Sequence, residues 1–363
     1  MDYLFQYGLF LAKAATLVVA LIFIVASVGQ MVRQAREHMA EQLDVRNINQ
    51  RLERMADIVR GEVLNDAAWK EYIKAKKKEQ KEEDKAARKG KTQRKPHLFV
   101  LDFDGDIAAT ATGSLREEIT AILQIAEDDD AVLLRLESSG GYVHSYGLAA
   151  SQLQRLRARK LHLTVAVDKV AASGGYLMAG VADRIIAAPF AIIGSIGVVA
   201  QLPNVHRLLK KNDVDIELHT AGQYKRTLTM LGENTDEGRA KFVEELEDTH
   251  ALFKEYLAEH RSGLDLARVA TGEHWYGRRA LELKLIDEIS TSDDYLLTNL
   301  RSHDIYSVSY KQRRPLSERL SESMRALVRA VVRWRPALAT SDIGSPRIQA
   351  RGDTPHARFQ SEL

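Results

Sequence analysis

Ser173 is followed directly by Gly174 and Gly175, and it is preceded by small residues. A serine hydroxyl can act as a nucleophile, and glycines let the backbone approach a ligand closely. Two backbone N–H groups are needed to stabilise the oxyanion that forms when a carbonyl group is attacked. The alternative interpretation is an ordinary N-cap serine on a glycine-containing turn, and the local sequence alone does not decide between the two.

The residues around Ser173 predict the backbone geometry that such a nucleophile needs. The run 161–167 is apolar and rich in β-branched side chains, which indicates a buried strand. The stretch 176–182 contains no helix breaker apart from one glycine, which favours a helix. Ser173 therefore lies at a predicted strand-to-helix junction, where the first N–H groups of the helix can bind an anion.

A second glycine pair, Gly140-Gly141, follows the apolar run 131–136, which is another predicted strand. Strands and helices alternate along this part of the chain, so we expect an α/β fold with a largely parallel sheet. The carboxyl ends of strands in such a sheet form the ligand crevice. We therefore expect both glycine pairs at one site, with one oxyanion N–H from Gly140-Gly141 and the other from Gly174.

The remaining elements of the globular part follow from the same patterns of apolar residues. We predict strands at 97–103, 131–136, 161–167 and 184–188. We predict helices at 112–128, 146–159, 176–182, 234–260 and 277–285. The stretch 192–198 is interrupted by glycines and is not assigned to either class.

A serine nucleophile needs a general base, and the chain offers two kinds. His144 and His162 are near Ser173 in sequence, but neither has an aspartate in an obvious orienting position, which disfavours a Ser–His–Asp triad. The other kind is a lysine in an apolar setting, because burial lowers the pKa of its amine and leaves it neutral.

Composition narrows the class of protein. The 363 residues carry a formal net charge of +2, so the overall charge predicts no nucleic-acid partner. The chain has no cysteine, which excludes disulfides, thiolate metal sites and a cysteine nucleophile. No histidine and carboxylate cluster has metal-ligand spacing and no phosphate-binding glycine loop is present, so we expect no metal and no cofactor.

The N-terminal region predicts a membrane anchor. Residues 8–31 are almost wholly apolar, with Lys13 as the single charge, and they are long enough to cross a bilayer. A cleaved signal peptide is the alternative, but its positively charged n-region is missing and the apolar run is too long for one. Arg33 and Arg36 follow the span, so the positive-inside rule alone places the rest of the chain in the cytoplasm.

Composition divides the chain into four segments. We assign 1–32 to the anchor, 33–95 to a charged helical or flexible tether, 96–310 to the globular domain, and 311–363 to a basic amphipathic helix with a disordered tail. The tether shows no strand signal, and its lysine-rich part is either a solvated segment or a contact with anionic lipid headgroups. The amphipathic helix, which extends from Leu316 to Trp334, either docks on protein or lies on a membrane surface.

Four motifs in a fixed order carry a family resemblance. They are Ser138-Ser139-Gly140-Gly141-Tyr142-Val143, Ala172-Ser173-Gly174-Gly175-Tyr176, Gly194-Ser195-Ile196-Gly197-Val198 and Thr220-Ala221-Gly222-Gln223-Tyr224-Lys225-Arg226. Together with the anchor and the tether, they resemble the signal peptide peptidase A family of membrane-anchored Ser–Lys proteases, and most of all its SohB branch. The resemblance extends to about Tyr310. One departure is Ser139, which stands where the family usually has proline.

The resemblance implies a role for each matching residue. Ser173 is expected to be the nucleophile and Lys225 the general base. The N–H groups of Gly174 and of Gly140 or Gly141 are expected to form the oxyanion hole. For Lys225, the alternative is an ordinary solvent-exposed loop lysine. We expect Ser195 to be a structural turn residue and not a catalytic one. We expect Asp168 and Lys169 at the surface, with a supporting role at the site as the alternative because they lie close to Ser173 in sequence.

The resemblance also implies a fold, an assembly and a location. The fold is the crotonase/Clp-like spiral of ββα units with an N-terminal transmembrane helix, usually assembled into ring-shaped homo-oligomers. Such proteins lie in the bacterial inner membrane with a single span and a periplasmic protease domain, which opposes the charge bias described above. The implied substrates are peptides or proteins, namely membrane-derived peptides or misfolded envelope proteins.

Two other functions are compatible with the sequence. A crotonase-like acyl-CoA enzyme would use the same paired N–H groups, but it would also need an acidic residue facing the site and a CoA-binding surface. A non-catalytic membrane scaffold with the same fold would need neither Ser173 nor Lys225.

Overall fold

The computed structural model describes residues 42–88 and 94–311, together with Thr16. The predicted anchor at 8–31, the predicted basic helix and the tail after it lie outside the described residues. Within the described ranges, no helix is both long enough and apolar enough to span a bilayer.

The described chain contains ten strands, which join one mixed sheet. In chain order they are β1 (Gln42–Asn47), β2 (His97–Gly105), β3 (Ala131–Ser138), β4 (His162–Val167), β5 (Val170–Ala172), β6 (Arg184–Ala187), β7 (Ile192–Gly194), β8 (His274–Tyr276), β9 (Glu288–Ile289) and β10 (Asp304–Lys311).

Helices connect the strands and cover the sheet. In chain order, those of the described ranges are α1 (Ile48–Val63), α2 (Asp66–Arg88), α3 (Thr112–Ile125), α4 (Val143–Ala158), α5 (Gly174–Ala179), α6 (His206–Lys211), α7 (Asp236–His260), α8 (Leu266–Val269), α9 (Gly277–Glu282) and α10 (Ser292–Asn299).

The sheet is parallel across most of its width and divides at β3. Its main path runs β1-β10-β2-β3-β4-β6-β9, and only the β1–β10 pair on this path is antiparallel. The body of β3 pairs with β4, whereas its last residue, Ser138, pairs with Ala171 of β5. The branch continues from β5 to β7 and then, in antiparallel, to β8. Ser173 therefore follows a strand of the branch.

The central strands are continuous apolar runs because both faces of the sheet are covered. Successive residues of β2 point to opposite faces, as the two-residue period of a strand requires. Phe99, Leu101 and Phe103 pack in one core with side chains of α3, α4 and α5. Leu98 and Val100 pack in a second core on the other face, with Ile48 and Ile305 among its members and Tyr295 and Leu300 packed against it.

The strands and helices predicted for the domain are all present, with ends that differ by three residues or fewer. The short strands β5, β7, β8 and β9 are absent from the prediction, because two or three residues do not establish a period. The edge strand β10 is absent from it as well.

The prediction of a tether without strands at 33–95 is wrong for residues 42–47. Residues Gln42–Asn47 form β1, whose register with β10 runs from Gln42 opposite Lys311 to Asn47 opposite Tyr306. The side chain of Asn49 then donates hydrogen bonds to the carbonyls of Leu300 at 3.0 Å and His303 at 2.9 Å, and it accepts one from the Ile305 N–H. Residues 42–49 are therefore part of the globular fold.

The rest of the described tether is a hairpin of two helices. Asn65 lies between α1 and α2, and its side chain accepts a hydrogen bond from the Ala68 N–H at 2.9 Å. Asp57 of α1 accepts from the Tyr72 hydroxyl at 2.7 Å and from the Lys76 amine at 2.5 Å. These contacts hold α2 against α1, so the predicted solvated helix has a partner on one side.

Candidate active site

Ser173 directly follows β5 and directly precedes α5, which confirms the predicted strand-to-helix junction. Its backbone has φ 51° and ψ −120°, a conformation that residues with a side chain rarely adopt and that costs roughly 1–3 kcal/mol. The Ser173 N–H donates to the Gly194 carbonyl at 2.8 Å, and the Ser173 carbonyl accepts from the Leu177 N–H at 2.9 Å. These bonds hold the serine on a sharp strand-to-helix turn, which is the backbone geometry that a nucleophile elbow needs.

The Ser173 hydroxyl does not cap the helix that it precedes. An ordinary N-cap serine or threonine accepts a hydrogen bond from the second or third N–H group of its helix. Thr235 does so at the start of α7, where its hydroxyl accepts from the Gly238 N–H at 3.1 Å. The geometry of Ser173 therefore disfavours the N-cap interpretation, because its hydroxyl is not used to build the local structure.

The Gly140-Gly141 turn lies directly against Ser173. A Cβ atom on Gly140 would stand 2.8 Å from the Ser173 Cβ and 2.8 Å from the Gly174 nitrogen. Gly140 also has φ +89°, a value that favours glycine. A Cβ atom on Gly141 would stand 2.1 Å from the Ile107 carbonyl oxygen. The structure thus brings the two predicted glycine pairs together, and it leaves no room for a side chain between them.

Two backbone N–H groups at this contact are available as donors. Gly174 begins α5, so its N–H has no acceptor within the helix. The Gly141 N–H donates to no other group in the part of the chain that the structure describes. The Gly140 N–H, by contrast, donates to the Ser138 hydroxyl at 3.0 Å. Of the three predicted oxyanion donors, the geometry favours Gly141 and Gly174.

A buried tyrosine that the sequence reasoning missed supports both glycine segments. The Tyr146 hydroxyl lies 2.5 Å from the Ser138 hydroxyl and donates to the Asp106 carbonyl at 2.7 Å. A Cβ atom on Gly174 would stand 2.4 Å from the ring of Tyr146. Tyr146 therefore fixes how closely the two segments approach each other. The sequence signal is an aromatic residue on the first turn of the helix that follows Gly140-Gly141.

An apolar cavity of about 330 Å³ opens beside Ser173. Part of its wall comes from α7, which contributes Leu252, Phe253 and Tyr256. The Tyr256 hydroxyl is buried and has no hydrogen-bond partner among the described residues, and burial raises its pKa to about 12. Because the cavity is apolar, it can receive an apolar side chain of a ligand beside the hydroxyl of Ser173.

Lys225 does not line this cavity, and the described residues that do line it include no basic side chain. Its own side chain is exposed to solvent. Its N–H donates to the Gly222 carbonyl at 3.2 Å within a turn where Gly222 has φ +99°. One chain therefore presents the hydroxyl of Ser173 and the N–H groups of Gly141 and Gly174 at the cavity, but it does not bring Lys225 to the lining.

The polar residues for which we expected structural or surface roles do have structural partners. Asp168 accepts hydrogen bonds from the N–H of Ser292 at 2.9 Å and from its hydroxyl at 2.6 Å. Lys169 forms an ion pair with Glu137 at 2.8 Å. The N–H of Ser195 donates to the Glu273 carbonyl at 2.7 Å, which ties this turn to the start of β8.

Neither histidine is positioned as a base for Ser173. His144 is exposed and stacks on Tyr142, with ring centroids 5.7 Å apart. His162 begins β4 and lies 3.8 Å from Asp183. Neither residue lines the cavity. Among the residues described, no group of histidines and carboxylates is arranged to hold a metal ion.

Two protein-family models together match most of the chain. The model for the peptidase family S49 N-terminal region matches residues 2–153, and the model for peptidase family S49 matches residues 155–304. The chain belongs to peptidase family S49. It is therefore a peptidase, and the family resemblance carried by the four sequence motifs is confirmed.

Relatives of this S49 peptidase are named as SohB proteases, which confirms the predicted branch. The probable protease SohB of Haemophilus influenzae is 49% identical over 324 residues, which is 87% of this chain and 91% of that protein. The probable protease SohB of Buchnera aphidicola subsp. Schlechtendalia chinensis is 48% identical over 305 residues, 82% and 100% of the two chains. Among solved structures, the 1510-N membrane-bound stomatin-specific protease, a mutant with a substrate peptide, is 18% identical, with a TM-score of 0.38 over 57% of this chain and 80% of that one.

Proposed function

We propose that this S49 peptidase is a serine endopeptidase that uses Ser173 as nucleophile and Lys225 as general base. The observation that carries the proposal is the hydroxyl of Ser173, which caps no helix and lies on a strained turn at an apolar cavity. The N–H groups of Gly141 and Gly174 lie beside it without internal acceptors. A nucleophile next to two preorganised donors is the arrangement that acyl transfer needs.

The proposed reaction passes through an acyl-enzyme. The neutral amine of Lys225 takes the proton from Ser173 Oγ while Oγ bonds to the carbonyl carbon of the substrate. The N–H groups of Gly141 and Gly174 hold the oxyanion, and one such donor is typically worth about 10²–10³ in rate. The C–N bond then breaks as Lys225 returns the proton to the leaving amine. In the second half, Lys225 takes a proton from water as the water oxygen bonds to the ester carbon. The C–Oγ bond then breaks while Lys225 returns the proton to Ser173 Oγ, which restores the serine hydroxyl and the neutral amine.

We propose that Lys225 reaches Ser173 from a neighbouring copy in a homo-oligomer. Two observations support this: the exposed Lys225 does not line the cavity of its own chain, and the segment around it presents many apolar side chains to solvent. A contiguous exposed apolar surface usually marks a protein interface. The exposed apolar residues of this segment are Val199, Leu202, Val205, Leu208, Val214, Ile216, Leu218, Tyr224, Met230 and Leu231.

The proposed substrates are membrane-derived peptides or misfolded envelope proteins. They would bind as extended strands beside Gly140-Gly141 and place an apolar side chain in the cavity. Leu177, Val198 and Phe253 supply the apolar lining that supports this preference.

The proposed setting is the bacterial inner membrane, with residues 8–31 as a single span and the protease domain in the periplasm. The apolar run of the sequence supports the span, and membership of the family supports the location of the domain. We further propose the four-segment organisation at 1–32, 33–95, 96–310 and 311–363, with β1 and the start of α1 packed on the domain. The branching of the sheet at β3 supports a crotonase/Clp-like spiral of ββα units.

The dyad is tested by two substitutions in the full chain, Ser173→Ala and Lys225→Ala. We expect each to lower the hydrolysis of a fluorogenic peptide with an apolar residue before the scissile bond by roughly 10⁴-fold or more. The matched controls are Ser195→Ala, at another serine with φ 51°, and Lys211→Ala, at another exposed lysine. Near-normal turnover in either dyad variant would refute the proposed chemistry and favour a different nucleophile or base.

Mixed oligomers test where Lys225 comes from. When differently tagged Ser173→Ala and Lys225→Ala chains are co-expressed and purified together, a shared site forms wherever an intact serine meets an intact lysine. Random mixing should restore about one quarter of the wild-type activity if the base comes from a neighbour. Complete inactivity of the verified mixture would instead show that each chain uses its own lysine.

A further inference from the structure

Helix α2 carries a cationic face that no other part of the described chain neutralises. Its exposed lysines follow one another at steps of one to four residues, so their side chains lie along one side of the helix. They are Lys70, Lys74, Lys77, Lys78 and Lys81. None of the five forms an ion pair with a described residue, whereas Lys76 pairs with Glu53 at 2.8 Å and with Asp57 at 2.5 Å. The hairpin pairs the lysine between its helices with two carboxylates and leaves the outer five outside any ion pair with a described residue.

Apolar side chains lie next to this cationic face. Trp69 and Ile73 are half-buried and line the same open groove as the lysines. On α1, an apolar stripe begins at Ile48 and Leu52, which pack on the second core, and continues beyond the domain into solvent. The exposed fractions of its outer members are 52% for Met55, 70% for Ile58, 61% for Val59 and 77% for Val63. Asp57, which binds Tyr72 and Lys76 of α2, lies on the opposite side of α1 from this stripe, so the stripe faces away from α2. The apolar side chains that adjoin the lysine face are therefore Trp69 and Ile73.

We propose that the hairpin of α1 and α2 binds the surface of an anionic phospholipid bilayer. The lysines of α2 contact the headgroups, and Trp69 and Ile73 beside them enter the boundary between headgroups and acyl chains. The inference rests on the proposed anchor, because only ten residues separate the end of the span at Met31 from Gln42. At full extension they reach roughly 35–40 Å, which keeps the domain near the membrane.

The residue types favour lipid over a protein partner. All five cations are lysines, whose flexible stems and point charges need no fixed partner geometry, while paired recognition of carboxylates favours arginine. Tryptophan is enriched where one end of a side chain is apolar and the other is wet, as at a membrane interface. Trp69 occupies such a position beside Lys70 and Ile73.

The size of the effect follows from the charge. Each lysine near an anionic surface contributes about a fivefold factor to the ratio of bound to released hairpin. Removal of three of the five charges should therefore lower this ratio by roughly 100-fold. Salt should lower it as well, because at 1 M ionic strength charges are screened within about 3 Å.

The absence of cysteine from the chain permits a site-specific test with the full-length protein. Ala67 is exposed on the first turn of α2, at a helical angle within the lysine face, and Ala67→Cys can be labelled with a single NBD fluorophore. The labelled protein is placed in nanodiscs of phosphatidylcholine alone, or in nanodiscs in which phosphatidylglycerol replaces about one third of that lipid. Quenching of NBD by doxyl-labelled lipid then reports contact with the bilayer.

We expect strong quenching in the anionic discs and little in the neutral ones. The combined substitution Lys74→Gln, Lys77→Gln and Lys81→Gln should abolish it, as should 1 M salt. The matched charge control changes Lys95, Lys160 and Lys211 to Gln, and it should leave the quenching unchanged.

Three results would overturn the inference and leave the proposed anchor in place. One is equal quenching in neutral and anionic discs, and another is an equal loss of quenching in the charge control. The third is a blue shift of the NBD emission that grows with protein concentration in lipid-free detergent. This result would show that the lysine face of α2 binds a second copy of the chain. A chain that does not co-elute with the discs would overturn the proposed anchor and this inference with it, while peptide hydrolysis would test the proposed function separately.

Discussion

Replacement of Ser173 by glycine should stabilise the protein relative to replacement by alanine, although both changes remove the hydroxyl. The backbone at φ 51° and ψ −120° costs a residue with a Cβ atom roughly 1–3 kcal/mol. Glycine avoids that cost but loses about 0.5–1 kcal/mol through the greater freedom of its unfolded chain. The two ranges differ by about 0–2.5 kcal/mol, and their midpoints predict a free energy of unfolding about 1 kcal/mol higher for Ser173→Gly than for Ser173→Ala.

The same pair of substitutions at Ser151 provides the control, because there the sign should reverse. Ser151 lies in the middle of α4 with its hydroxyl bonded to the Gly147 carbonyl at 2.9 Å. In a regular helix, glycine is less stable than alanine by about 1 kcal/mol. A comparison of the two sites therefore separates backbone strain at Ser173 from any general effect of glycine.

The assay is thermal unfolding of the purified full chain in one detergent, followed by circular dichroism. In a domain of this size, 1 kcal/mol corresponds to roughly 2–4 °C in Tm. The Ser173→Gly chain should unfold several degrees above Ser173→Ala, while Ser151→Gly should unfold below Ser151→Ala. If alanine is as stable as glycine at position 173, the turn stores no strain and this interpretation of the nucleophile elbow is refuted.

Two further predictions concern the fold. Asn49→Ala should lower the free energy of unfolding by roughly 2–3 kcal/mol in chemical denaturation, because it leaves three half-buried backbone groups in 300–305 without their hydrogen-bond partner. The capping variant Asn65→Ala should cost about 1 kcal/mol. Burial raises the pKa of Glu118 to about 7, against a hydrogen bond from the Tyr310 N–H that lowers it. As the pH rises from about 4.5 to 7, the free energy of unfolding of the wild type should therefore fall by up to about 3 kcal/mol. That of Glu118→Gln should not fall in this range. Parallel pH profiles of the two proteins would contradict the prediction.

The central strands and the two glycine pairs could be predicted because their sequence signals are local. Strands such as β2 and β3 are buried on both faces, so their apolar runs are long and unbroken. The turn at Ser173 follows from a strand, a small residue and two glycines in immediate succession. The choice of Gly141 over Gly140 as a donor is not local, because it depends on a hydrogen bond from Gly140 to Ser138.

The features that could not be predicted depend on contacts between distant parts of the chain. The polar residues of β1 give no strand signal, since an edge strand is covered on fewer sides and its partner β10 lies far along the chain. From the sequence, Tyr146 cannot be distinguished from an ordinary helix residue, because only the fold places its hydroxyl between Ser138 and Asp106. The position of Lys225 relative to Ser173 is not set by any local pattern, and it stays a prediction for the mixed-oligomer experiment to test.

The pairing of β1 with β10 has a consequence for the synthesis of the protein. Gln42 leaves the ribosome early, but its partner Lys311 follows about 270 residues later, which takes roughly 15–50 s at usual elongation rates. Throughout that interval β1 has no partner, and β2 lacks its neighbour on the same side. Asp44 and Arg46 give β1 the charges that discourage pairing with a wrong strand. The edge of the sheet is therefore completed last, and a nascent chain that stops short of residue 304 would keep its first strand exposed.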